Sequence, residues 1–457
     1  MQNYFIFQQH LTAKADPALS FDTVQKLWNR FCFTLSDLSV QSFPVTQGHH
    51  FILGDINPPV LPDGKEFVIS VTESGVAITG RDTYCLMRGY ISLLMQIEDA
   101  TVESGQDTFR IPCGTTESNY LLPVRMIHFC IFPETEFSFI RKMIRLAGLC
   151  QYTHVVLEFW GTLQFDCMKE LAWPEAFTKT QAKELIAEIR AFGMEPIPMS
   201  NQLGHATASR LKYGKHVVLD QNPALRNHFS PDGWVWNIVN PKTRKLLANI
   251  RAELYDLFGQ GNYIHLGCDE AYYIKRCDNL RAFLPQYLHD LTAEVVAEGR
   301  RPLLWSDMLL DREKFPRPFE SHCAPGEDVI LWKALHPETV LIDWQYNIKE
   351  APIQSTPHMM SSGFDVMGGP WLNPDNIKAH IDTLTAYNSF GIMLTTWHTL
   401  KEQTAGILNC AHLCGADTFY WSSFSSSYEE TATMLRTSSF EGNTYEETGW
   451  TKLQIEV

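Results

Sequence analysis

The chain has 457 residues, of which 45% are hydrophobic and 19% charged, with a formal net charge of −15 at pH 7. This length exceeds one ordinary domain, and the proportions are those of a soluble globular protein. An acidic chain without a Lys/Arg cluster argues against a nucleic-acid or anionic-membrane partner and fits a neutral or weakly cationic substrate better.

The opening MQNYFIFQQHLTAKADP has no basic start, no long apolar core and no small-residue cleavage site, so it does not read as a signal peptide. No apolar run reaches the length of a membrane span. The eleven cysteines are scattered, and Cys130, Cys150 and Cys268 sit inside apolar runs where a small buried thiol is expected. Reduced thiols and the absence of a leader predict a cytoplasmic location.

Residues 1–120 are expected to form a small α/β domain. The segment GKEFVISVTESGVAITG offers two short β-type runs with turn residues between them. The RDTYCLMRGYISLLMQIED that follows reads as a covering helix with Tyr90, Leu94 and Ile97 on one stripe.

From about Pro123 to the end, residues 121–457, apolar β-type runs alternate with amphipathic helices, the pattern of βα units on a parallel sheet. The expected strands cover 124–130, 153–159, 195–200, 262–268, 301–306, 339–346, 364–369 and 391–397. Eight of them predict a (β/α)8 TIM barrel, followed by a polar tail beyond about 430 that wraps the surface. Thr178 with Gln181 reads as a capping box and Gly193 as the matching stop. Asn240 and Pro241 open another helix, Leu246, Ile250, Leu254 and Leu257 form its buried stripe, and Gly259 closes it.

In a barrel the strand ends face one mouth, where the chemistry is done. Strand four ends in HLGCDE, which presents the adjacent carboxylates Asp269 and Glu270. An isolated Asp-Glu dipeptide is more often a solvated loop pair. Side by side at a strand end, the two repel one another's ionisation, so one is expected to stay protonated near neutral pH and the other charged. A general acid beside a fixed anion suits glycosidic bond cleavage.

The other strand ends contribute Arg125, Glu158, Asn201 with His205, Trp305 with Asp307, Trp344 with Tyr346, Trp371, and Trp397 with His398. One such Trp is more often core than site. The last four strands all ending in Trp predict an aromatic wall for a sugar ring, whose faces carry C–H bonds.

The HLGCDE motif, the Arg125 strand, the GHA step at 204–206 and the Trp-terminated strands resemble the β-N-acetylhexosaminidases of glycoside hydrolase family 20. The likeness covers most of the chain, including a small α/β domain before the barrel. It implies removal of terminal N-acetylglucosamine or N-acetylgalactosamine from a glycan by a retaining, substrate-assisted route. There the substrate's 2-acetamido oxygen attacks the anomeric carbon and an oxazolinium intermediate forms. Carried over by position, Glu270 is the general acid and base, and Asp269 holds the acetamido N–H. His205 orients the acid with Glu158 as its carboxylate partner, and Arg125 holds the sugar 3- and 4-hydroxyls. Trp305, Trp344, Trp371 and Trp397 wall the pocket. No cofactor or metal is implied, and members of the family are often homodimers.

Three departures bear on sugar specificity. Strand two reads HVVLEFW in place of a His-x-His-x-x-Asp pattern, leaving Glu158 as the acid near His205. After strand seven Leu372 stands where the family carries a tyrosine for the acetamido oxygen, with Tyr346, Tyr272 or Tyr273 as replacements. After strand eight Trp397-His398-Thr399 replaces Trp-Gly-Glu, so the carboxylate for the 4- or 6-hydroxyl is missing. The long loop after strand three, with Asp232, Trp234 and Trp236, shapes either the entrance or its own packing.

Three other readings compete. A metal hydrolase needs paired histidines that strand one, with His128 alone, does not offer. A conventional retaining glycosidase with Glu158 as nucleophile would also cleave sugars lacking the acetamido group. A non-catalytic sugar-binding barrel would gain little from a costly like-charge pair.

Overall fold

The computed structural model describes residues 2–31, 37–43, 48–100, 109–206, 222–397 and 400–416. His398, Thr399, the middle of the loop after strand three and the polar tail beyond residue 430 lie outside the described residues.

Eight parallel strands form one sheet whose order closes on itself. They are Val124–Cys130, His154–Glu158, Glu195–Pro198, Tyr263–His265, Arg301–Trp305, Val340–Asp343, Asp365–Gly368 and Gly391–Leu394. Strand one pairs with strand two on one side and strand eight on the other. Strands three and four meet through a single parallel bridge, Met199 to His265, backed by Ser200 N–H to His265 O at 2.9 Å. The protein is therefore a (β/α)8 barrel, and each expected strand is present.

The barrel interior is packed with side chains, among them Met126, Val156, Ile197, Leu303, Ile342, Met367 and Met393. Strands buried on both faces read as continuous apolar runs, which is why they stood out in the sequence. The helix Lys179–Ala191 opens on the Thr178–Gln181 capping box, with Gln181 N–H on Thr178 Oγ1 at 3.2 Å. Gly193 follows at φ 74°, a left-handed turn that suits glycine. The helix Pro241–Phe258 is capped by Asn240, but its buried stripe starts at Leu247, while Leu246 is only half-buried. The period-3.6 pattern leaves a one-residue ambiguity where two leucines are adjacent.

Before the barrel lies a six-stranded mixed sheet. Its hairpin Phe67–Thr72 with Gly75–Gly80 matches the expected pair of β runs. The helix Thr83–Met95 is buried from Cys85 to Met95. Ile97 lies beyond its end and is half-buried, so the expected single stripe is a helix buried almost all round. This unit is tied to the barrel by Glu66, which takes Arg88 Nε at 2.7 Å and Arg125 Nη1 at 3.0 Å. Burial alone would raise the Glu66 carboxyl, but the two guanidinium charges hold it down at about 2.

The ten described cysteines form no disulfide. No helix among the described residues is long and apolar enough to cross a membrane.

Candidate active site

The fourth strand stops at His265, and the five residues after it turn sharply. Gly267, Cys268 and Glu270 have φ of 65°, 73° and 49°, and His205 on the facing loop has φ 53°. Each non-glycine residue in this region costs roughly 1–3 kcal/mol and persists only where its surroundings enforce it. Here they do. Trp234 Nε1–H donates to Glu270 O at 2.7 Å, and Trp305 N–H donates to Gly267 O at 3.0 Å. The close approach also requires glycine at Gly204, where a Cβ would lie 1.9 Å from Asp269 O. At Gly267 a Cβ would lie 2.3 Å from Asn201 Oδ1. The GHA step and the HLGCDE turn are thus one interlocked backbone unit.

This turn brings Asp269 and Glu270 to His205. His205 Nε2 is 3.0 Å from Asp269 Oδ2 and 3.3 Å from Glu270 Oε2. Burial would lower the imidazole's proton affinity, but the Asp269 and Glu270 carboxylates outweigh it and push His205 up to about 10. Glu270 is correspondingly lowered against its burial, by His205 and by the Tyr272 hydroxyl that donates to Oε1. For Glu270 the charged form is thus favoured over the protonated one, and the proton is favoured on His205 between the two carboxylates.

Asp307, just beyond strand five, is fully buried and links the acid pair to the aromatic wall. Its Oδ2 accepts Glu270 N–H at 2.9 Å, and its Oδ1 accepts Trp344 Nε1–H at 3.1 Å. Burial and the neighbouring Asp269 charge raise Asp307 well above the usual carboxylate range.

From Trp344 the wall continues ring to ring. Tyr346 lies 5.2 Å from Trp344 and 5.5 Å from Trp371, centroid to centroid. Trp397 Nε1–H donates to the Tyr346 hydroxyl at 2.9 Å, and the Trp397 ring is 6.1 Å from that of Trp305. Gln403 pins two of these positions, accepting Trp371 Nε1–H at 2.9 Å and Trp397 N–H at 3.0 Å. Trp305 itself is 1% exposed and packs on His265, so it forms the floor.

Arg125 and Glu158 do not make the contacts expected of them. Arg125 is the second residue of strand one, at the end away from the mouth. Its guanidinium is occupied by Glu66, Leu122 O at 2.9 Å and Gln151 O at 3.2 Å, over the Tyr120 ring. A strand of seven residues separates its two ends by about 20 Å, and the sequence pattern does not say which end a residue serves. Glu158 does sit at its strand's mouth end, but it does not partner His205. Its oxygens take Asn201 Nδ2 at 2.8 Å and His128 Nε2 at 3.0 Å, and it is 1% exposed. The nearer partners of His205 are the acid pair itself. Both Glu158 oxygens being occupied also disfavours it as a nucleophile.

Leu372, at φ 53° and 42% exposed, offers no hydroxyl. Asp307 was legible as a strand-end residue but not as the link between the acid and Trp344. Trp234, and His322 whose ring lies 4.9 Å from that of Tyr272, belong to long loops, where no periodicity marks a side chain as inward. Among the described residues, no group of three or more His, Cys, Asp or Glu is arranged to hold a metal ion.

The description "Glycosyl hydrolase family 20, catalytic domain" matches residues 157–440 of the chain. Among solved structures, the exo β-N-acetylglucosaminidase of Vibrio harveyi in complex with N-acetylglucosamine is similar with a TM-score of 0.67 at 12% identity, over 96% of this chain and 75% of that one. A mutant Streptomyces plicatus β-hexosaminidase in complex with product has a TM-score of 0.66 at 14% identity, over 96% and 93%. The β-N-acetylhexosaminidase of Bacteroides fragilis has a TM-score of 0.63 at 14% identity, over 99% and 94%. At these identities the structural likeness speaks to the fold. No curated protein matches the chain in sequence.

Proposed function

Because the chain belongs to glycosyl hydrolase family 20 and is a glycoside hydrolase, we propose that it removes terminal β-linked N-acetylglucosamine or N-acetylgalactosamine with retention, through substrate-assisted catalysis. The observation that carries this reading is the Asp269–His205–Glu270 cluster beside an aromatic wall. It supplies a proton, a base and a fixed anion without a free carboxylate positioned as a nucleophile.

In this account the sugar lies against Trp344, Trp371 and Trp397, and its 2-acetamido N–H donates to Asp269. The acetamido oxygen faces Tyr346. That hydroxyl accepts Trp397 Nε1–H at 2.9 Å and Thr395 Oγ1–H at 3.2 Å, so its own proton is available to the acetamido oxygen. The acetamido oxygen then attacks the anomeric carbon as the bond to the leaving oxygen breaks.

The leaving oxygen takes its proton from Glu270, which receives that same proton from His205 Nε2. Positive charge growing on the oxazolinium competes with imidazolium for Asp269, which loosens that proton at the moment it is needed. His205 is then neutral and Glu270 charged. In the second step Glu270 takes a proton from water, the hydroxide opens the oxazolinium at the anomeric carbon, and the proton returns to His205. The acid and base are the same group in both directions.

Glu270→Gln tests the acid directly. Turnover should fall by orders of magnitude on substrates with poor leaving groups and less on activated aryl glycosides. Equal losses on both would remove Glu270 from the role. Asp269→Asn should damage both classes, and near-normal turnover would sink its assignment.

A further inference from the structure

Beside the acid cluster, on the far side of Tyr272, lies a second concavity of about 580 Å³. It is bounded by the helical turn Tyr272–Arg276, the helix Asp278–Ala297 and the loop that follows strand five. Its floor is apolar, with Leu284, Met308 and Leu331.

The charge around it is unusual for so acidic a chain. Lys275, Arg281 and Arg312 line the cavity against Asp278 and Glu327, three cations to two carboxylates. Arg281 is committed to Glu327, with Nε to Oε1 at 2.9 Å. Among the described residues no ion pair engages Lys275 or Arg312. The two lie near enough that, after burial, the Arg312 charge is what lowers the Lys275 ammonium's proton affinity. Like charges held together over an apolar floor are repulsive, and a single negative charge between them relieves the repulsion.

The cavity shares a wall with the acid cluster. His322 lines it and is 8% exposed. Its ring stands edge-on to Tyr272 at 4.9 Å, and the Tyr272 hydroxyl donates to the Glu270 carboxylate. The cavity therefore lies next to Glu270 with only the Tyr272 and His322 side chains between them, on the flank of the acid turn.

We propose that this cavity binds a ring bearing one carboxylate, with Lys275 and Arg312 on the carboxylate and the apolar floor under the C–H face of the ring. The net excess of one cation selects a monoanion, and the apolar floor with a volume of about 580 Å³ selects a ring over a small inorganic ion. Such a group is either an acidic sugar next to the cleaved bond or the same acid free in solution. Only the first source rests on the function proposed above.

Calorimetric titration of the Glu270→Gln protein, which keeps substrate intact, separates these sources. The probes are free glucuronate, free glucose, and N-acetylhexosaminyl disaccharides ending in glucuronate or in glucose. Binding of free glucuronate but not glucose marks a free-acid site. Preference of at least tenfold for the acidic over the neutral disaccharide marks an aglycone subsite. In either case the preference should vanish in Glu270→Gln carrying Lys275→Ala and Arg312→Ala, and should be weakened by Lys275→Gln alone. Equal affinity for acidic and neutral probes, or a preference that survives loss of both cations, would overturn the assignment. Because binding is the readout, the result stands whether or not the chain cleaves acetamido sugars.

Discussion

Asp307 accepts the backbone N–H of Glu270 at 2.9 Å, so the acid turn after strand four is held from strand five. The same carboxyl group holds the Trp344 indole at 3.1 Å, which ties the acid turn to the aromatic wall.

Asp307→Asn leaves one acceptor oxygen for two N–H donors. Burial and Asp269 favour the neutral form of Asp307, and loss of one hydrogen bond to a neutral acceptor is worth roughly 0.5–1.5 kcal/mol, about two- to tenfold in rate. We expect kcat to fall in that range while KM changes little, with the alkaline limb of the pH profile unmoved. A change confined to KM would mean that Asp307 shapes only the wall.

The proton store on His205 sets the alkaline limit. The imidazole is raised to about 10 by the acid pair, so it is protonated below that value and loses its proton as pH rises through it. kcat/KM should therefore persist through neutral pH and decline only on approach to about 10. His205→Gln should lose this limb and move the alkaline decline toward the carboxylate range. An unshifted limb in the variant would place the proton elsewhere.

Tyr346→Phe removes the hydroxyl proposed for the acetamido oxygen. We expect about a tenfold loss in kcat/KM on acetamido substrates, the worth of one neutral hydrogen bond. Wild-type rates would point to Tyr272 or Tyr273 instead.

Arg125 and Glu66 are expected to matter for folding. Glu66 is held at about 2, below its ordinary 4.5, because two guanidinium charges overcome its burial. A carboxylate depressed in the folded state contributes stability above its unfolded value and loses it as pH falls toward the folded one. Its contribution should thus be complete above about pH 5 and vanish between there and 2. Glu66→Gln should cost on the order of 3 kcal/mol at neutral pH, in chemical denaturation, and leave KM unchanged. Arg125→Met should behave likewise; a large rise in KM would return Arg125 to the sugar site.

The barrel was legible because its strands are buried on both faces and bounded by capped helices such as Lys179–Ala191. The acid pair was legible because a strand, a glycine and two carboxylates occur in sequence. What the sequence could not convey is depth along a strand, which is why Arg125 was expected at the mouth and lies at the floor. Nor could it convey pairing between loops. Glu158 is matched to His128 and Asn201 by barrel geometry alone, and His205 reaches Asp269 only because Gly204 and Gly267 let two turns touch.

The central claim is most directly tested by release of 4-nitrophenol from the β-N-acetylglucosaminide, the β-N-acetylgalactosaminide and the plain β-glucoside, each with and without a thiazoline mimic of the oxazolinium. Substrate-assisted catalysis predicts hydrolysis of the acetamido sugars only, blocked by the thiazoline. Cleavage of the plain glucoside at a comparable rate, insensitive to the thiazoline, would contradict substrate-assisted catalysis.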